Sequence, residues 1–387
     1  IIGLAAVGGF VLAVLIVWVL IAGPITVSRI IQYGDTDVDD FSQYPGRQLA
    51  ASQGAYYFSE SEAALKLPEE TLATFGLEGQ LESLLAANDS IAFLVIKDGS
   101  LIHESYYQDH AANRLSQLFS VSKSITSLLV GMAIDDGILE GVDFPITDYI
   151  PELTPKGYGA VTLKDLLTMT SGTAYRENDN PFGEHVILNY TPDLEAELLQ
   201  IGMEDEPGQV FRYKSGDNAL LALALRRALG DETLTQYTQR RLWSPLGAEH
   251  RAIWTLDSEE AGFEKSWCCL ATSARDLAKI GQLYLDGGQL AGDRLVSSGW
   301  VQASSSPQVP SEIWPVEFSQ AGWRNYGYQW WLASEEQGDY FALGKDGQFL
   351  YVNPKNQVVI VRLGWSSGEL RSGQWIQLFQ LTAQNLN

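Results

Sequence analysis

Cysteine, histidine and positive charge are all scarce in this sequence, and each scarcity removes a class of protein. The 387 residues hold two cysteines, Cys268 and Cys269, side by side. Neighbours in sequence cannot staple distant parts of a chain, so no long-range disulfide framework holds the fold. The pair reads as two small buried residues. Four histidines (His103, His110, His185 and His250) show no HExxH or other ligand spacing, so no metal site is expected and each reads as a surface or internally satisfied residue. Lys and Arg total 25 against 48 Asp and Glu, and the resulting charge of -23 repels a phosphate backbone and argues against a nucleic-acid partner. No Gly-rich phosphate loop occurs, so no nucleotide cofactor, and no cofactor of any kind, is expected. With 45% hydrophobic and 19% charged residues the chain is too apolar to be disordered.

Charge is missing altogether from residues 1–28, and Ile1 to Gly23 is almost wholly apolar. About 20 apolar residues in a helix cross a bilayer core, whereas the apolar centre of a cleaved signal is about 7–15 long. Residues 1–23 are therefore expected to form an uncleaved, single-pass transmembrane anchor. Residues 24–75 have turn residues and little periodicity, and read as a connector that partly packs on the body. The remainder, 76–387, reads as one large domain.

Within that domain Ile91–Ile96, the Asp98-Gly99 pair and Leu101–Tyr107 form a hairpin signal. A helical pattern starts at Ser120, with Ile125, Leu128, Leu129, Met132 and Ala133 on one face and Gly137 as its stop. Residues 140–335 are rich in helix and loop, with clear helices at Leu163–Met169, Ala219–Ala228 and Ala274–Leu285. Strands return at Tyr340–Lys345, Gln348–Val352 and Gln357–Leu363, and an amphipathic helix over Leu370–Leu386 closes the chain. The expected fold class is α/β (α+β): strands from both ends join one antiparallel sheet flanked by helices, and an all-α region of about 115–335 is inserted between them.

Three short motifs carry chemistry. In Ser120-Val121-Ser122-Lys123 the serine and lysine share a helix face, one turn apart, so the amine can reach the hydroxyl. A hydroxyl needs a base to become a nucleophile, and a lysine serves only if burial or nearby positive charge lowers its pKa. Alone, Ser-x-x-Lys arises by chance about once in a chain of this length. Tyr213-Lys214-Ser215 precedes a helical run, and Lys345-Asp346-Gly347-Gln348 lies between two strand signals. The three in this order and context are jointly specific.

In these motifs the chain resembles the penicillin-recognising serine hydrolases, in particular the class C β-lactamase-like esterase and 6-aminohexanoate-dimer hydrolase group. Leu166–Gly172, Ala271–Leu277 and Tyr326–Trp331 add to the likeness, which spans about residues 80–387. The resemblance implies Ser120 as the acylated nucleophile, Lys123 as its base and Tyr213 as a proton shuttle. A tyrosine near lysines would have its pKa lowered. Ser215 falls where many members have Asn as a substrate-amide contact, and Lys345 would add positive field. The oxyanion hole would be the backbone N–H groups of Ser120 and Gln348, and Gly347 would let the strand approach substrate. Thr173-Ala174-Tyr175-Arg176-Glu177 and Cys268-Cys269 would border the pocket, although each also fits a purely structural role, Tyr175 as a core aromatic and Glu177 as a solvated loop charge. Asp346 departs from the Thr or Ser usual in penicillin-binding members, and its carboxylate would repel that of a β-lactam.

The implied activity is hydrolysis of a small-molecule amide or ester, with the catalytic domain outside the cell or in the periplasm. Two other readings stand beside it: a non-catalytic subunit or scaffold of a membrane assembly, and a penicillin-binding D-alanyl carboxypeptidase. Gly364-Trp365-Ser366-Ser367-Gly368 imitates a nucleophile elbow, but that arrangement needs a downstream histidine and the last one is His250.

Overall fold

A computed structural model describes residues 2–60, 65, 67, 73, 81–178 and 180–386. Strands from the two ends of the main body meet in one eight-stranded sheet. Its centre is β1 (Ser90–Lys97), β2 (Ser100–Tyr106), β3 (Tyr340–Gly344), β4 (Gln348–Asn353) and β5 (Val358–Gly364). These lie in the order β3-β4-β5-β1-β2, all antiparallel, so β5 and β1 join the chain ends, with Ile360 opposite Val95. Two-residue strands extend the sheet at both edges, and the outermost, Ser59–Glu60, runs parallel to β2.

Both faces of the sheet are covered, which explains why its central strands read as unbroken apolar runs. Leu94, Ile96, Leu350, Val359 and Val361 enter one core cluster. Alternate residues Phe93, Val95, Phe349, Tyr351 and Ile360 enter another, where Trp375 and Phe379 of the C-terminal helix (Ser372–Gln384) cover them. The helix Ala274–Leu285 packs on the opposite face, and Gly281 allows its close approach, since a Cβ there would strike Val359 and Leu350. Arg362 is the exception within β5. It is fully buried, and its guanidinium donates to the carbonyls of Asn88, Asp346, Gly347 and Ser366 and to Ser90 Oγ.

The helix that opens at Ser120 runs Val121–Asp135 and is buried from Val121 to Ala133. It has no polar stripe facing water, which differs from a one-faced amphipathic helix. Its hydroxyls are satisfied by main chain instead: Ser124 and Ser127 donate to the carbonyls of Gln329 and Tyr328, and Thr126 to that of Ser266. Gly137, at φ 70°, follows its C-terminus. The helix Ser215–Leu229 lies beside it, and Leu163–Leu167 packs against that second helix.

A second sheet of four strands, absent from the sequence expectations, pairs Gly46–Leu49 with Ala252–Thr255, then Leu270–Thr272 and Ser116–Gln117. The segment read as a connector thus contributes a strand to the body. The boundary expected at 75–76 falls outside the described residues. Upstream, the helix Ile2–Ala22 is followed by Pro24–Tyr33. Trp18 Nε1 donates to the carbonyl of Pro181 at 2.9 Å, and the Trp18 ring contacts Phe182. Among the described residues no single helix is long and apolar enough to cross a membrane; Leu12–Ala22 and Pro24–Tyr33 pass that test only together, as a pair bent by 114°.

Candidate active site

Ser120 stands at the N-cap position of the Val121–Asp135 helix, but its side chain caps nothing. An N-cap serine ordinarily accepts from a first-turn N–H. Here Ser120 Oγ receives Lys123 Nζ at 2.8 Å, and the same amine donates to the carbonyl of Trp267 at 3.1 Å. The preceding residue, Phe119, adopts φ 47°, a left-handed conformation uncommon outside glycine. It packs on the core while the hydroxyl stays half-buried at the cleft floor.

Lys123 is 1% exposed, and burial depresses its pKa to about 8, against an opposing pull from Glu177. About a tenth of the amine is then neutral at pH 7, and about half at pH 8. The Tyr213 phenol reaches the Ser120 side chain, and Lys123 Nζ lies 4.9 Å from the tyrosine ring centre. Trp331 stacks on that ring, with centroids 5.3 Å apart. Burial drives the Tyr213 phenol well above its ordinary pKa, and Glu177 pushes the same way. This corrects the expectation that lysines lower it: at rest Tyr213 is a neutral phenol that can donate.

Ser120 lies between two cavities. One, of about 300 Å³, is bordered by Glu177, His185, Ser215, Lys345 and the Cys268–Cys269 pair. The other, of about 380 Å³, has an aromatic wall of Tyr213, Phe318, Trp323 and Trp331, with Lys345 and Asp346 at its edge. The two cysteines form a disulfide between adjacent residues rather than two free thiols. Burial raises the Asp346 carboxyl pKa.

Several sequence expectations are relocated by the structure. Ser215 Oγ donates to Glu177 Oε1 at 2.7 Å and Ser215 N to Glu177 Oε2 at 2.7 Å, so its hydroxyl serves the carboxylate at the start of the Ser215–Leu229 helix. Tyr175 lines neither of the two cavities beside Ser120. It is buried beneath Gly216, where an added Cβ would meet its ring, and its hydroxyl contacts His185 Nδ1 at 2.8 Å. The Gln348 N–H turns back to the carbonyl of Lys345, so it does not face an oxyanion site. The Gln348 side chain is bound to Gly364. Gly347, at φ 73°, leaves room for the Arg362 guanidinium rather than for substrate. Lys345 borders both cavities, but its ammonium is held by Asp35 and Thr36. Ser366 of the false elbow donates to Asp89 at 2.6 Å, at the surface.

Sequence reasoning placed Glu177 at the pocket border or, alternatively, as a solvated loop charge, and left His185 as a surface or satisfied residue. Glu177 is instead the anion that biases both Lys123 and Tyr213, and His185 borders the Ser120 cavity, its Nδ1 3.4 Å from Glu177. His185 lies in no motif, so no local signal marked it. Among the described residues no group of three or more His, Cys, Asp or Glu could hold a metal ion.

A serine paired with a buried lysine in this fold defines a serine hydrolase, and the chain belongs to the beta-lactamase family, whose model matches residues 80–375. A curated relative, the 6-aminohexanoate-dimer hydrolase of Paenarthrobacter ureafaciens, is 30% identical over 316 residues, covering 77% of this chain and 78% of that protein. Among solved structures, a candidate 6-aminohexanoate-dimer hydrolase from Bacillus anthracis superposes with a TM-score of 0.72 at 23% identity, covering 89% of this chain and 90% of that one. A family VIII carboxylesterase has a TM-score of 0.62 at 15% identity, covering 84% and 99%. These two structures share the fold.

Proposed function

We propose that the protein cleaves an amide or ester through an acyl-enzyme on Ser120. The observation that carries this is the 2.8 Å contact between Ser120 Oγ and a buried Lys123 amine whose pKa is lowered to about 8. Lys123 takes the hydroxyl proton as Ser120 attacks the carbonyl carbon. Tyr213 gives its phenolic proton to the departing nitrogen or oxygen and is reloaded from Lys123. In deacylation a water attacks the acyl carbon, its proton passes by the same two groups, and Ser120 regains its hydrogen. The Ser120 amide, at the open end of the helix, points to one oxyanion donor, where helix geometry leaves N–H groups without internal partners. The 6-aminohexanoate-dimer hydrolase among the relatives and the carboxylesterase sharing the fold support a hydrolytic reading with either leaving group.

A membrane anchor belongs to the same proposal. Phe10, Leu12, Leu20, Ile21, Ile25 and Ile31 are exposed apolar side chains on the two N-terminal helices, a surface that suits lipid. A single pass over residues 1–23 would hold the catalytic domain on the periplasmic or extracellular side.

The test is labelling of the full-length protein in detergent by a fluorophosphonate probe. Wild type should label and Ser120→Ala should not. A non-catalytic scaffold predicts that neither labels. Stable labelling by a fluorescent penicillin would favour the D-alanyl carboxypeptidase reading.

A further inference from the structure

The residues between the N-terminal helices and the first strand lie across the mouth of the catalytic cleft. Upstream, Arg29 is pinned to the carbonyls of Tyr190, Thr191 and Asp257, at 3.3, 3.0 and 2.7 Å. The Tyr190 hydroxyl donates to the carbonyl of Gly34. Downstream, Val38 is buried, its carbonyl accepts from Gln117 N at 2.9 Å, and Asp39 pairs with Arg114 at 2.8 Å. Asp35 and Thr36 are therefore suspended between two anchored points, the second of them held at Gln117, three residues before Ser120.

What they hold there is Lys345. A lysine ammonium has three N–H donors. Lys345 Nζ meets Asp35 Oδ1 at 2.6 Å, the Thr36 carbonyl at 2.8 Å and Thr36 Oγ1 at 3.4 Å, which occupies all three. The hydrogen bond from Lys345 keeps the Asp35 carboxyl below its ordinary pKa, so the strap supplies a negative charge at neutral pH. Asp346 borders the same edge of the aromatic cavity. Lys345, the one lysine among the described residues that borders both cavities, thus arrives with its counter-ion and its donors filled by the chain itself.

We propose that Asp35 and Thr36 form a built-in wall of the active site and determine specificity, making the cleft select substrates that carry no carboxylate at the Lys345 end. This rests on Ser120 being the activated nucleophile. A carboxylate-bearing acyl group must displace Asp35 from Lys345 and then lie beside it, whereas an uncharged or cationic group meets no such cost. Asp35 is 90% exposed in its side chain, so solvent screens the effect and the expected discrimination is about three- to fivefold.

Boronic acids, which bond reversibly to an activated serine oxygen, read this without a known substrate. The full-length protein in detergent is titrated with phenylboronic acid and with 4-carboxyphenylboronic acid. Wild type should bind the uncharged probe more tightly. Asp35→Asn should shift the affinity ratio about three- to fivefold toward the carboxylate, and Asp35→Glu should keep the wild-type ratio. A merely structural role for Asp35 would weaken both probes together and leave the ratio alone, which overturns the proposal. Tighter binding of the carboxylate by wild type overturns it as well. Binding of neither probe by wild type would instead remove the activated serine on which it depends.

Discussion

Lys123 can work as a base only while its amine is uncharged, and this sets a pH dependence that the structure fixes in sign. Burial lowers its pKa to about 8. Below that value the neutral fraction falls about tenfold per pH unit, to roughly 10% at pH 7 and roughly 1% at pH 6. The value of kcat/KM for a p-nitrophenyl ester, corrected for spontaneous hydrolysis, should rise through pH 6–8 and level off above about 8. Glu177 opposes the depression by favouring the ammonium. Glu177→Gln removes that support, so the acidic limb should move to lower pH, even if the variant is slower overall because one of the two oxygens that accept from Ser215 becomes an NH2 group. The same group bears on stability. Its folded pKa lies below the unfolded value of 10.5, so the unfolded chain binds the proton more tightly, and stability should rise with pH between about 8 and 10.5. A flat profile between pH 6 and 9, or a limb that moves up in Glu177→Gln, would refute the assignment of Lys123 as the base.

Two further outcomes follow from the same geometry. Tyr213→Phe keeps the ring packed on Trp331 but removes the proton donor, so kcat should fall by about 10²–10⁴ with little change in folding; steady-state kinetics with an unchanged kcat would take Tyr213 out of the mechanism. Gly347→Ala places a methyl against the Arg362 guanidinium at a positive φ, and should cost about 1–3 kcal/mol, read as a lower thermal unfolding midpoint; a midpoint equal to wild type would show that the loop adjusts freely.

Both the hairpin of β1 and β2 and the closing strands were legible because their turns and apolar runs are contiguous. The second sheet was not, since Gly46–Leu49 finds its partner about 200 residues later in the chain, at Ala252–Thr255. Asp98-Gly99 marks a turn by its own conformational preference, but nothing in Gly46–Leu49 names its neighbour. Tyr175 and His185 show the same limit: each type is ambiguous alone, and only the contact between them settles what Tyr175 does.

By itself the sequence determined what depends on local geometry. Three residues along a helix return to the same face, so Ser120 and Lys123 had to be neighbours wherever the helix lay. Tertiary structure alone decided what surrounds that pair. Burial lowers the amine's proton affinity, Glu177 reaches Ser215 across 38 residues, and Asp35 closes on Lys345 across 310. Charge acts through space rather than along the chain, so the electrostatics of the cleft came into being only when distant segments were folded against one another.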